Sequence, residues 1–160
     1  MQEGPRSPYE LTVSGGSPPH EIAFAIQTPA DYLAHHDRLV GSISQRCDTK
    51  WLSTHGPAIC CQQHHPAALW AHGPFSYLRE LVGVEDAMVL LYTKPDMIRL
   101  MLADHLEMSM AAAVPMVEAC RPDMCFVWED CCESTGPFIA PKIFETMVVP
   151  WYRAWKDHLV

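Results

Sequence analysis

Residues 126–152 read FVWEDCCESTGPFIAPKIFETMVVPWY, and this stretch decides the fold. An apolar run breaks off at two adjacent carboxylates, passes through a Gly-Pro loop and restarts as a helix. Met124, Cys125, Phe126, Val127 and Trp128 have the short, continuous apolar character of a buried parallel strand, entered from the polar turn Arg121-Pro122-Asp123. Glu129 and Asp130 then fall at its carboxyl end, where α/β sheets and barrels carry their ligand sites. Pro141 suits the first turn of the following helix, with Ile143, Phe144, Met147 and Val148 at helical spacing.

Upstream, the spacing predicts a second strand over Ala67 to Ala71, ending at His72-Gly73-Pro74, and a helix from Phe75 to Leu81 stopped by Gly83. Thr28-Pro29-Ala30-Asp31 is a strong helix start, with a capping Thr, a first-turn Pro and an acid at the third position; this helix is expected to reach Val40. Thr93-Lys94-Pro95-Asp96 repeats the signal, and Met97, Leu100, Met101, Asp104, Met108 and Ala111 trace a long helix that Pro115 should kink or end. Residues 48–63 show no periodicity and read as irregular. Residues 1–27 form an irregular amino-terminal segment, Gly-, Pro- and Ser-rich to Pro19, with a short strand expected over Ile22 to Gln27.

The 160 residues are 49% hydrophobic and 19% charged, the composition of a globular domain. A net charge of -8 without clustered Lys and Arg argues against nucleic acid or an acidic membrane surface as partner. No membrane role is expected, since no uninterrupted apolar run is long enough to span a bilayer. Seven cysteines without scaffold-like spacing, and no charged-then-apolar leader, point to reduced thiols in the cytoplasm.

Glu129 and Asp130 are the candidate catalytic pair, because a carboxylate in a partly buried strand-end pocket can be tuned for acid or base work. Their bland alternative is to cap backbone amides. Glu129 is the expected pocket residue if it continues the inward phase of Cys125 and Val127. His72 at a strand end and Arg79 in the next helix are placed to meet an anionic group beside a helix amino terminus. His55, Cys60, Cys61, His64 and His65 carry zinc-type atoms but not a standard zinc spacing, so no metal site is assigned in this chain. Cys131 and Cys132 are read as packing residues, with thiolate chemistry as the alternative.

Taken together, Glu129-Asp130, Gly136-Pro137, Pro141 to Phe144 and Val149-Pro150-Trp151-Tyr152 resemble the uroporphyrinogen decarboxylase superfamily, which also contains cobalamin-linked methyltransferases. Ala71 to Leu81 is similar to that family's strand-end Gly-x-Phe turn and following helix, and Leu91-Tyr92 with Pro95-Asp96 continue the order. The resemblance implies an α/β fold, a partial (β/α)8 TIM barrel over residues 28–160, since a closed barrel needs about 250 residues. It implies a tetrapyrrole or corrinoid substrate, with His72, Gly73, Phe75, Arg79 and Trp128 binding it and Glu129 and Asp130 acting on it. The leading expectation is decarboxylation of porphyrinogen acetate side chains, without a cofactor. The alternatives are a corrinoid-linked methyltransferase, whose zinc ligands would lie outside this chain, and a non-catalytic half-barrel that associates with another chain, a homodimer being one such association.

Overall fold

Two short strands, β1 (Tyr9–Thr12) and β2 (His20–Phe24), pair antiparallel within the segment read as irregular from the sequence. The computed structural model describes residues 9–12, 20–24, 26–41, 47–61 and 65–159. Helix α1 (Pro29–Val40) opens on the expected capping box: Thr28 Oγ1 accepts from the Asp31 N–H at 3.2 Å, and Asp31 Oδ2 accepts from the Thr28 N–H at 2.8 Å.

Residues 48–63 were expected to be irregular, yet Thr49–Cys60 forms helix α2, with Asp48 accepting from the Trp51 N–H at its start. Gly56 and Pro57 hide this helix from a propensity reading. Gly56 is there for contact: a Cβ at this position would lie 2.8 Å from the Ala119 carbonyl oxygen, so the missing side chain lets α2 approach the long helix closely.

Strand β3 (Ala68–His72) leads through Gly73 into α3 (Pro74–Val82), and Gly83, at φ 86°, separates it from α4 (Val84–Thr93). Helix α5 (Pro95–Cys120) continues past Pro115, which therefore does not end it. Proline removes one backbone donor and crowds one carbonyl. Beyond it, Met116 and Val117 pack with Ala113, Leu69, Trp151 and Trp155, which holds the last turn in place. By length and composition α5 could cross a bilayer; it also touches α1, α2, α3, α4, α7 and β3, as the central helix of the fold.

Strand β4 (Met124–Trp128) has the bounds expected from the sequence and pairs parallel with β3, Ala68 opposite Met124 and His72 opposite Trp128. Asp123 fixes the start of this register: its N–H donates to the Ala67 carbonyl at 2.8 Å, and its Oδ2 accepts from the Ala67 N–H at 2.8 Å. The short strands β5 (Cys132–Glu133) and β6 (Gly136–Pro137) make a hairpin across the Gly-Pro loop. The chain is thus an α/β protein in which helices predominate, with one described parallel pair.

The carboxyl-terminal helix is α6 (Pro141–Ile143), a π turn (Phe144–Val148) and α7 (Val149–Leu159) in succession. Pro150 explains the widening. It has no N–H to donate and its ring crowds the carbonyl one turn back, so the preceding turn loosens and the Val149 N–H reaches Phe144 O instead.

Strand β4 was expected to be buried, but Met124, Phe126 and Trp128 are exposed. Helices cover one face of the β3–β4 pair, where Leu69, Ala71 and Val127 pack on Ala113, Trp151 and Trp155. The opposite face carries Trp70 and Phe126, more than half exposed among the described residues.

Candidate functional site

The β3–β4 register brings His72 and Trp128 side by side, so the turn after β3 and the loop after β4 leave the sheet together. The ladder continues one step past the strands through Gly73 N–H to Trp128 O, at 2.7 Å. Gly73 lacks a Cβ for a specific reason: one would lie 2.7 Å from the Trp128 carbonyl oxygen and 2.6 Å from Glu129 Cδ. The Glu129 carboxylate fills that space.

Glu129 Oε1 accepts from the Ser76 N–H at 2.7 Å and from Ser76 Oγ at 3.1 Å. Its Oε2 accepts from the Tyr152 hydroxyl at 2.6 Å. Ser76 is the third residue of α3, so Glu129 supplies, from another strand, the carboxylate that the helix amino terminus lacks locally. Burial and the Glu129 charge both keep the Tyr152 phenol protonated, well above the ordinary tyrosine range. Glu129 does follow the phase of Val127, as expected, but the helix layer lies on that side, and its acceptors are engaged there.

Asp130 is the more open carboxylate. Its N–H donates to Ser76 Oγ at 2.8 Å, and its side chain forms a salt bridge with Arg79, which also donates to the Asp130 carbonyl at 3.1 Å. His72 Nε2 lies 3.0 Å from Glu80 Oε1, and its ring sits 5.1 Å from that of Trp128. Phe75 is fully buried beneath this end, facing Phe138, so its ring belongs to the core rather than to the surface of the site.

The sequence-derived residues Gly73, Arg79, Glu129 and Asp130 therefore meet, with His72 and Trp128 at their margin. Two contributors were missed. Ser76 was legible in principle, because a Ser in the first turn of a helix can bond incoming groups. Tyr152 had no comparable signal, being 23 residues from the carboxylate it holds.

Cys131 and Cys132 lie beside this cluster with sulfurs 3.9 Å apart. Burial first, then Cys132 and the Glu129 charge, push the Cys131 thiol up to about 11, opposite to what a reactive thiolate needs. In the candidate zinc cluster, His64 and the Cys60 side chain lie outside the described residues, Cys61 and His65 are exposed, and His55 Nδ1 meets Trp51 O at 3.0 Å. Among the described residues no group of three or more His, Cys, Asp or Glu is arranged to hold a metal ion.

Cavities of about 360, 310 and 230 Å³ lie elsewhere: between α5 and the final helix, between α2 and the start of β3, and along β3 beside α5. None of the three is lined by Arg79, Glu129 or Asp130, which form an open shelf at the strand end. Compared with protein-family models, curated proteins and solved structures, the chain matches none.

Proposed function

We propose that the chain is a portion of a (β/α)8 barrel related to uroporphyrinogen decarboxylases, working on a tetrapyrrole in the cytoplasm at the shared carboxyl end of β3 and β4. The observation that carries this reading is the parallel β3–β4 register, with Arg79, Glu129 and Asp130 gathered at the end where such folds hold their substrates.

In this reading Arg79 exchanges its Asp130 partner for a substrate acetate. Protonation of a pyrrole carbon creates a cation that accepts the electron pair of the breaking C–CO2 bond. Carbon dioxide leaves, the methylene group takes up a proton to become a methyl group, and the pyrrole carbon gives back the proton it first received, which restores the neutral pyrrole. Asp130, released from Arg79, faces the pyrrolic N–H and stabilises the cation, while Glu129 holds the shelf together through Ser76 and Tyr152. The corrinoid-linked methyltransferase alternative uses the same shelf for a different tetrapyrrole, with zinc supplied by residues outside this chain.

Incubation of the purified chain with uroporphyrinogen under reducing conditions, followed by chromatography of the oxidised products, tests the reading. Products with successively fewer carboxylates are expected. A folded chain that yields none removes the decarboxylase reading, and methyl transfer from methylcobalamin to a thiol in the presence of zinc would put the alternative in its place.

One observation favours a non-catalytic reading, in which the chain works by associating with another copy. Trp70, Phe126 and Trp128 expose an aromatic face on a strand pair whose outer edges have no partner among the described residues. Sedimentation equilibrium decides this: a monomer at tens of micromolar removes it.

A further inference from the structure

The cavity of about 230 Å³ along β3 touches the margin of the strand-end shelf through His72 but holds none of Arg79, Glu129 and Asp130, and it does not depend on the decarboxylase reading. Four consecutive β3 residues, 69–72, line it together with one face of α5. Consecutive strand residues point to opposite faces, so a cavity touching all four runs along the strand's edge, and β3 pairs with β4 alone among the described residues.

Two imidazoles meet there. His105 is 2% exposed and stacks flat between Tyr77, at 4.2 Å, and Trp151, at 5.1 Å. Burial first, then the nearby His72, hold His105 neutral down to about 3. Nδ1 of His72 and Nδ1 of His105 are both buried without a hydrogen-bond partner among the described residues. Buried polar atoms are nearly always paired, because an unmet one loses its hydration for nothing in return. Ser109, one turn along α5 from His105, adds a hydroxyl to the same wall. The rest is apolar, with Met108 and Ala112 among the lining and no Asp, Glu, Lys or Arg.

We infer that the slot between β3 and α5 is a binding site for a small uncharged ring compound, about the size of a substituted benzene, whose single hydroxyl or amide group hydrogen-bonds the His72–His105 pair. The chemistry selects this class. A cation would find no carboxylate on the wall, and an anion would need a charged His105, which burial and the neighbouring His72 oppose. A purely apolar ring would fill the space but leave the imidazole nitrogens unmet.

The test titrates the full chain with para-cresol and with toluene, following Trp fluorescence and the imidazole ¹⁵N resonances. Saturable binding of para-cresol is expected, about fivefold tighter than toluene for the one added hydrogen bond, with the His72 and His105 resonances shifting along the same isotherm. In His105→Phe, which keeps a flat ring in the stack, the preference for para-cresol should vanish. Binding that never saturates, saturation without imidazole shifts, or a preference that survives His105→Phe each overturns the proposal. Should that variant not fold, the wild-type imidazole shifts decide alone.

Discussion

The Tyr152 hydroxyl donates to Glu129 Oε2 at 2.6 Å, binding the last helix to the carboxyl end of β4. The same carboxylate holds the amino terminus of α3 through Ser76, so one side chain joins a strand and two helices. Tyr152→Phe leaves half of that carboxylate without its partner in a partly buried place. A loss of about 1.5–3 kcal/mol is expected, the range for a hydrogen bond to a charged group, read as a lower urea midpoint with unchanged slope.

Gly73→Ala should disturb the same junction by a different route. The added methyl would lie 2.6 Å from Glu129 Cδ and 2.7 Å from the Trp128 carbonyl oxygen, and the second of these is backbone that cannot swing aside. A destabilisation of about 1–3 kcal/mol is expected for such overpacking. Combining Gly73→Ala with Glu129→Gln should cost less than the sum of the two single changes, because they damage one contact set.

The Arg79 and Asp130 side chains are 27% and 40% exposed, so solvent screens their ion pair and it contributes little to stability. Asp130→Asn should change unfolding free energy by less than about 1 kcal/mol. If the proposed decarboxylation holds, the same change should abolish turnover. A variant that keeps full activity would remove Asp130 from the chemistry.

Acid should weaken the fold through His105. Its folded-state value is lowered to about 3 by burial, against about 6.5 for an unfolded chain. Below the unfolded value the unfolded state gains a proton that the folded state refuses, so stability falls as pH drops from the mid-sixes toward 3. Lowering the pH from 6.5 to 5 should cost about 2 kcal/mol through this group. In His105→Phe that slope should be absent from the difference between denaturation curves at the two pH values.

Base should weaken it through Tyr32 and Tyr152, whose phenols burial pushes above the ordinary range. Above about pH 10 the unfolded chain releases protons that the folded chain keeps, so stability declines. A spectrophotometric titration of the native protein should show Tyr32 and Tyr152 ionising only as it unfolds.

Cys131 and Cys132 should differ in reactivity. Cys132 is exposed, whereas the Cys131 thiol is pushed up to about 11. Brief alkylation at neutral pH followed by peptide mass mapping should find the label first on Cys132. Faster labelling of Cys131 would contradict the protonated state assigned to it.

The amino-acid sequence by itself determined the local grammar of this protein. The bounds of β4, the capping box at Thr28, the stop at Gly83 and the start at Pro95 all follow from short-range rules, because caps, proline and glycine act on the residues beside them. It also selected Gly73, Arg79, Glu129 and Asp130, residues that do meet in space. Helix α2 escaped notice because Gly56, a poor helix former, is kept for its closeness to Ala119, a contact across 63 residues. Pro115 sits inside a helix because distant Trp151 and Trp155 hold the turn beyond it. Tertiary structure alone decided that Glu129 turns toward the helices and is occupied by Ser76 and Tyr152, leaving Asp130 as the open carboxylate. A strand's alternation tells which residues share a face, but the helices packed on it decide which face is the interior.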